Sequence, residues 1–418
     1  MRRYNSVKLV AVKALMIIVA VVLAPLTLLP SLGILTVHGD TNNTPDIGYV
    51  KYTLVLYDGT LYQGNVVNNN NHGVTANLIA YDPSNGYLYV TSVNSDKVYV
   101  INTSTNRVIN TICICNNPLG IAYDPSNGNV YVTNLEFDAI CVINTSTDKS
   151  VNRIPVGSNP CRVAYDPSNG YIYVTNCGSK SVSVINPSTN KVVNCIYVGK
   201  RPIGVAYDPI NGYIYVTNCV SWTVSVIDPS TDQVVASIPV GKYPFGIAYD
   251  PINGYIYVAN GGSSSVSVID PSTDQVVGTI PVGNKPLCIA YDAGNGYLYV
   301  TNCGSNTVSV IDPSTDQVVG TIPVGKGPIG VTYDPSNGNV YVANAGSGSI
   351  SVIPTVPANS SQLAELTAKS PSNITGQIPT PPAPPTATST GIPPVSLAII
   401  GVAVVILIVM VVASIRKK

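Results

Sequence analysis

Apolar and polar positions alternate through the middle of the chain in short runs, and the runs return every 42 residues. One unit reads GVAYD (Gly204 to Asp208), a PING turn, then YIYVTN (Tyr213 to Asn218). A loop of small residues follows, then VSVI (Val224 to Ile227), the turn DPSTDQ, and VVASIPV (Val234 to Val240). Runs of this length, rich in Val, Ile and Tyr and bounded by Pro, Gly, Asn and Asp, predict four strands per unit with tight turns between them. The tripeptide YDP, or a near copy, stands at Tyr81, Tyr123, Tyr165, Tyr207, Tyr249, Tyr291 and Tyr333, which makes seven units. Four strands recurring at such a period predict the blades of a propeller.

Strand order follows from side-chain chemistry. The fourth strand carries Pro155, Pro239, Pro281 and Pro323 at one repeat position. Proline cannot donate to a ladder and is confined to edges, so this strand is expected outermost. The second strand is apolar on both faces, with Tyr213 and Tyr215 on one and Ile214 and Val216 on the other. That suits blades stacked face to face. The expected order is therefore GVAYD innermost, then YIYVTN, then VSVI, then the proline-bearing edge. Six units contain a fourth strand, but the last stops after Ile350 to Ile353. Upstream, Thr53 to Tyr57, an Asp58-Gly59 turn and Thr60 to Val67 imitate a third-plus-fourth strand pair that can complete the seventh blade. Closure from both chain ends removes exposed edges. The expected fold is an all-β, seven-bladed propeller of four-stranded blades over residues 49–353.

Composition adds bounds. Charged residues make up 10% of the chain and the formal net charge is zero, which is not the basic footprint of a nucleic-acid binder. At the N-terminus, Arg2, Arg3, Lys8 and Lys13 precede an apolar stretch from Ala14 to Leu29, the layout of a secretory signal over residues 1–38. Residues 354–394 are dense in Pro, Ser, Thr and Ala and read as an extended stalk. Residues 395–413 are apolar for long enough to span a bilayer as a helix. Arg416, Lys417 and Lys418 lie in the basic tail, residues 414–418, which places the tail in the cytoplasm and the propeller outside. The expected location is the cell membrane, by a single pass.

The intact motif YVTN stands at Tyr131–Asn134, Tyr173–Asn176, Tyr215–Asn218 and Tyr299–Asn302, with YVAN at Tyr257–Asn260 and Tyr341–Asn344. Together with VSVID and VVGTIPVG, these make residues Tyr49 to Ile353 resemble the YVTN β-propeller repeat family, which includes archaeal surface-layer proteins. The resemblance implies an extracytoplasmic propeller with a surface or adhesion role. Related propellers include lactonases and lyases, so a fold of this kind does not decide function.

Several motifs have plain structural readings. Asp166-Pro167-Ser168-Asn169-Gly170 and Asp228-Pro229-Ser230-Thr231-Asp232 could be calcium loops, but they lack EF-hand spacing and a closing glutamate and carry the residues tight turns demand. Only His38 and His72 are available as imidazoles, so neither a catalytic set, a metal site nor a bound cofactor is expected. Nine cysteines in a secreted domain invite disulfides. Pairing the first hairpin of blade three puts Cys161 opposite Asn176, beside Cys177. Cys288 and Cys303 hold nearly equivalent places in blade six, so both pairs are expected to be bridged, with Cys177–Cys219 as the alternative. Cys113, Cys115, Cys141 and Cys195 have no assignable partner, and a metal reading of Cys113 and Cys115 lacks a second ligand pair. Sequons at Asn42, Asn102, Asn144, Asn359 and Asn373 are candidate N-glycosylation sites.

Residues that repeat are explained by the scaffold, so function is sought where the units disagree. The loops after YVTN and those joining blade to blade share one face. Blade two has Leu135-Glu136-Phe137-Asp138 there, and Lys180 and Trp222 stand at the position of Asp138. The connecting loops supply Arg162, Lys200, Arg201, Lys242, Tyr243 and Phe245. Aromatics beside charges on exposed loops suit recognition of protein or glycan. The expected function is therefore a cell-surface or cell-envelope recognition or adhesion protein rather than an enzyme. The alternatives are a lactonase-type hydrolase or lyase, which needs polar residues converging on the channel, and a purely structural surface-layer component.

Overall fold

The computed structural model describes the backbone of residues 52–57 and 60–63, and residues 75–114 and 117–355 in full. The expected signal, most of the stalk, the transmembrane segment and the tail lie outside the described residues. So do Asn42, Asn359, Asn373, both histidines and Cys115. Among the described residues no helix is long and apolar enough to cross a membrane.

The alternating runs form six antiparallel four-stranded sheets and one of five strands, arranged as a seven-bladed propeller. Blade four is typical, with Pro202–Tyr207, Ile214–Asn218, Thr223–Asp228 and Gln233–Pro239 in that order from the channel outward. Inner strands of successive blades neighbour one another around the ring, and the last, Pro328–Asp334, meets the first, Ile79–Asp82. The proline-bearing strand is the outer edge, as its missing donor requires. Blade seven supplies Pro328–Asp334, Asn339–Asn344 and Ser349–Pro354 from the end of the repeats. The upstream strand Tyr52–Tyr57 pairs antiparallel with the last of these, from Tyr52 opposite Val352 to Val55 opposite Ser349. Thr60–Gln63 then adds a fifth strand outside it. The N-terminal hairpin thus closes the ring, but as fourth and fifth strands rather than as a third-plus-fourth pair. Ser349–Pro354 already fills the third place, so only the outer positions are open.

Seven apolar clusters fill the seven interfaces between blades. Between blades four and five, Tyr215, Val224, Val226 and Ile238 pack on Ile256, Val258 and Ile269. Across the closure, Tyr341 and Ile350 pack with Leu88, Tyr99 and Ile101. One tyrosine per blade is fully buried at the second-strand position of Tyr215. Its hydroxyl cannot be left unpaired without a penalty of about 1–3 kcal/mol. The turn asparagine four residues earlier supplies the bond, as Asn211 Nδ2 does to Tyr215 at 2.8 Å and Asn253 Nδ2 to Tyr257 at 2.7 Å.

The rest of the motif now has physical roles. Thr217 Oγ1 accepts from Gly204 N at 2.7 Å and donates to Phe245 O of the next blade at 2.7 Å, stapling neighbours together. Asn218 Nδ2 donates to Thr223 and Ser225 hydroxyls at 3.1 and 2.9 Å and so fixes the following loop. The DPSNG aspartates are turn residues, as their chemistry suggests. Asp166 Oδ1 accepts from Ser168 N at 2.8 Å and Ser168 Oγ at 2.6 Å. Asp228 does the same in the outer turn. The inner-strand glycines answer to close approach, since a Cβ on Gly204 would collide with the carbonyl oxygen of Phe245.

Candidate functional site

Loops after the second strand and loops between blades open on one face, and each contains a residue in left-handed backbone conformation. The first series includes Asp96, Asp138, Lys180, Trp222, Ser264, Asn306 and Gly348. All of these but Gly348 offer their carbonyl to the N–H just past the outer strand, as Lys180 O does to Val198 and Trp222 O to Val240, both at 3.0 Å. The second series includes Asn117, Asn159, Arg201, Tyr243, Lys285 and Gly327. Asn, Asp and Gly suit such positions, whereas bulky residues there cost on the order of 1–3 kcal/mol each. Lys180 at φ 55°, Arg201 at 57°, Trp222 at 56° and Tyr243 at 51° are therefore costly choices for the scaffold. Their side chains are held on rigid loop stems at the rim.

The face identified from sequence divides into three parts. Arg162, Lys180, Lys200, Arg201 and Phe245 line a cavity of about 660 Å³ at the mouth of the channel. Trp222, Lys242 and Tyr243 form a second group at the edge of blades four and five. The Trp222 and Tyr243 rings meet edge to face at 6.0 Å, and Lys242 Nζ lies 5.6 Å from the Trp222 ring centre. Phe137 stands apart, under the Arg153 guanidinium at 4.4 Å. Glu136 is exposed beside it. Asp138 has a scaffold role instead. Its carboxylate accepts from Asn159 N at 2.8 Å and Ser158 Oγ at 3.2 Å, as Asp96 accepts from Asn117 N at 3.0 Å.

Arg162 and Phe245 belong to inner strands Pro160–Asp166 and Pro244–Tyr249, not to the connecting loops. From there Arg162 reaches across the ring, and its Nη2 donates to Cys288 Sγ of blade six at 3.0 Å. Below this pair the channel narrows to a cavity of about 120 Å³. That lower channel is lined by one aliphatic side chain from each blade: Ile79, Ile121, Val163, Val205, Ile247, Ile289 and Val331. Above it, Leu119, Ile203, Phe245, Leu287 and Ile329 form a second apolar ring.

The cysteines correct one expectation. Cys161 and Cys177 are bridged, with Cα atoms 6.1 Å apart. Cys288 and Cys303 are free, and so is Cys219, whose thiol burial pushes up while the Arg201 charge pulls it down. The true repeat partner of Cys161 is Leu287. Cys288 stands one residue further on, opposite Thr301, so strand alternation turns it into the channel and away from Cys303. Among the described residues no group of three or more His, Cys, Asp or Glu could hold a metal ion. Asn102 and Asn144 end third strands at the turns to the fourth, where Asn102 Oδ1 accepts from Ser104 N at 2.9 Å and Asn144 Oδ1 from Thr147 N at 3.1 Å.

Sequence reasoning missed Cys288 as a channel residue and missed the apolar ring. The signal was the inner-strand column that reads Leu78, Gly120, Arg162, Gly204, Gly246, Cys288, Gly330. Four members are glycine, and Arg162 and Cys288 face each other across the ring.

No protein-family model and no curated protein matches the chain. Many solved structures share its fold. One is hydrazine synthase of Kuenenia stuttgartiensis, aligned with a TM-score of 0.62 over 71% of this chain and 99% of that one at 22% identity. At that identity the likeness speaks for the propeller alone.

Proposed function

We propose that this chain is a membrane-anchored recognition or adhesion propeller of the YVTN type, displayed outside the cell on its Pro/Ser/Thr-rich stalk. In this reading Asn102 and Asn144 carry glycans on the face opposite the binding loops. The observation that supports it most is the placement of Lys180, Arg201, Trp222 and Tyr243 at left-handed loop positions of one face. Residues unsuited to the backbone persist where the side chain has a task, and exposed aromatics flanked by cations are the usual anchors of a binding surface. The task is binding rather than catalysis, with the partner a protein or glycan of the cell surface.

The test is saturable binding of the purified chain to isolated cell envelopes. Truncating a central aromatic anchor costs about 2 kcal/mol or more, roughly thirtyfold in affinity. Trp222→Ala with Phe137→Ala should therefore abolish most of the binding. Unchanged binding by that double variant would remove this face from consideration.

One observation favours the structural surface-layer reading as second choice. The outer strands of blades three to five each expose a valine pair, including Val193 at 50%, Val235 at 49% and Val277 at 53% exposure. Unpaired edges with apolar side chains are templates for lateral association. Ordered self-assembly of the chain, with no envelope binding by its loop face, would favour this reading.

A further inference from the structure

The channel mouth concentrates charge in a chain that is sparing with it. Arg162, Lys180, Lys200 and Arg201 line one cavity that no Asp or Glu lines. Lys180, Lys200 and Arg201 are exposed at its lip, whereas Arg162 is half-buried at its floor. Arg162 lines both cavities and so stands between the upper apolar ring and the seven aliphatic side chains below. Its one recorded side-chain acceptor is the Cys288 sulfur, a weak one. A guanidinium set among apolar groups and short of protein acceptors favours an anionic, hydrogen-bonding partner. The remaining donors of Arg162 have no protein partner among the described residues.

We infer that the mouth is a binding site for an apolar chain that ends in a carboxylate, with the carboxylate on Arg162 and the chain within the ring of Leu119, Ile203, Phe245, Leu287 and Ile329. The planar fork of a guanidinium matches a carboxylate in two parallel bonds. A phosphate would bring a second charge into the apolar ring with one half-buried donor group to meet it, which desolvation disfavours. A neutral sugar would leave its hydroxyls against aliphatic walls. The volume of about 660 Å³ is that of a small-ligand pocket. Lys180, Lys200 and Arg201 at the lip steer anions inward and make the on-rate sensitive to salt. Cys288 holds the guanidinium across the channel and yields it when the stronger acceptor arrives. Two sources provide this chemistry: the free C-terminus of an apolar peptide and a fatty acid.

This site deepens the proposed recognition face but does not depend on its aromatic rim, so the two can fail separately. The test is calorimetric titration of the purified full chain with decanoate and decanol, and with an Ala-Val-Leu-Val peptide as free acid and as amide. At least one acid should bind. Its neutral counterpart should bind roughly tenfold to a hundredfold more weakly, the range expected for losing a charged hydrogen-bonded pair. Arg162→Met should reduce acid binding by a similar factor, with Arg162→Lys in between. Bound acid should also slow alkylation of Cys288, read by peptide mass mapping. Decanoate binding alone assigns a lipid-derived acid, peptide binding alone assigns a protein terminus, and either upholds the site. Equal binding of acid and neutral probes, or none at millimolar concentration, overturns it. That comparison uses the unaltered chain and stands even if Arg162→Met fails to fold. Retained acid binding by Trp222→Ala with Phe137→Ala, alongside lost envelope binding, would show throat and rim to be separate sites.

Discussion

Acid should stabilise this propeller, and Asp250 shows why. Its side chain is fully buried at the end of the inner strand of blade five. Oδ1 accepts from Ile252 N at 2.8 Å, but Oδ2 has no hydrogen-bond partner. Burial therefore pushes the carboxyl up from the ordinary 3.8 to about 6, with the negative charges of Asp316 and Asp312 adding to the rise. A carboxyl harder to ionise in the fold than in the unfolded chain binds its proton more tightly when folded. Its stabilising contribution is then complete below about pH 4 and is lost as pH rises through about 6. At about 1.36 kcal/mol per pH unit, the difference is ~3 kcal/mol for this one residue. Asp124, Asp166, Asp208 and Asp292, its repeat partners, are raised by the same burial. Asp228 of the outer turn is lowered by hydrogen bonds to Ser230 and acts in the opposite direction. Chemical denaturation of the full chain, followed by far-ultraviolet circular dichroism from pH 7 to pH 4, should show stability increasing. Asp250→Asn keeps the acceptor for Ile252 N and removes the titration. That variant should gain stability at pH 7 and show a shallower dependence on pH. A wild-type chain that weakens steadily on acidification, or a variant with an unchanged slope, would refute the reasoning.

Two further outcomes test the packing. Leu287→Cys should form a second disulfide with Cys303, while Cys288 stays a free thiol in the unaltered protein; non-reducing peptide mapping reads both, and a native Cys288–Cys303 bridge would overturn the register. Ala259→Thr should restore in blade five the staple that Thr217 provides in blade four, adding about 0.5–1.5 kcal/mol in the same denaturation assay; a loss of stability would mean that the neighbouring inner strand does not offer its carbonyl there.

The architecture was legible because the repeat confesses it many times over. Strand order and ring closure by the N-terminal hairpin followed from periodicity, proline placement and a missing fourth strand, but not the fifth strand of blade seven. What stayed hidden was what a second residue contributes at a distance. The asparagine of each DPSNG or DPING turn looked like turn chemistry alone, yet Asn211 also holds the buried hydroxyl of Tyr215. The threonine of YVTN carries no sign of a role of its own in the sequence, yet Thr217 joins two blades. Asp138 looked like a recognition residue because it broke the pattern of small residues, but its carboxylate fastens the loop of the next blade. Each misreading has one cause. Sequence shows the order of residues along the chain, whereas these roles depend on which side chains the folded turns and blade interfaces bring together.

The inner-strand column shows how far departure from a repeat can be trusted as a functional sign. Loop substitutions such as Phe137 cost the scaffold little and drift easily. The glycine column is different, because the backbone there approaches the next blade too closely for a Cβ. Gly120 and Gly204 hold their N–H bonds to the staple threonine at 2.6 and 2.7 Å. In the three blades without glycine the same bond lengthens, to 3.1 Å at Leu78 and 3.0 Å at both Arg162 and Cys288. A side chain at this level goes with a longer bond to the staple threonine. Blades one, three and six all accept a side chain there, and those of blades three and six meet across the channel. Independent drift gives no reason for two costly exceptions to contact each other. A shared task does, and the guanidinium at the floor of a basic, apolar-walled cavity says what kind.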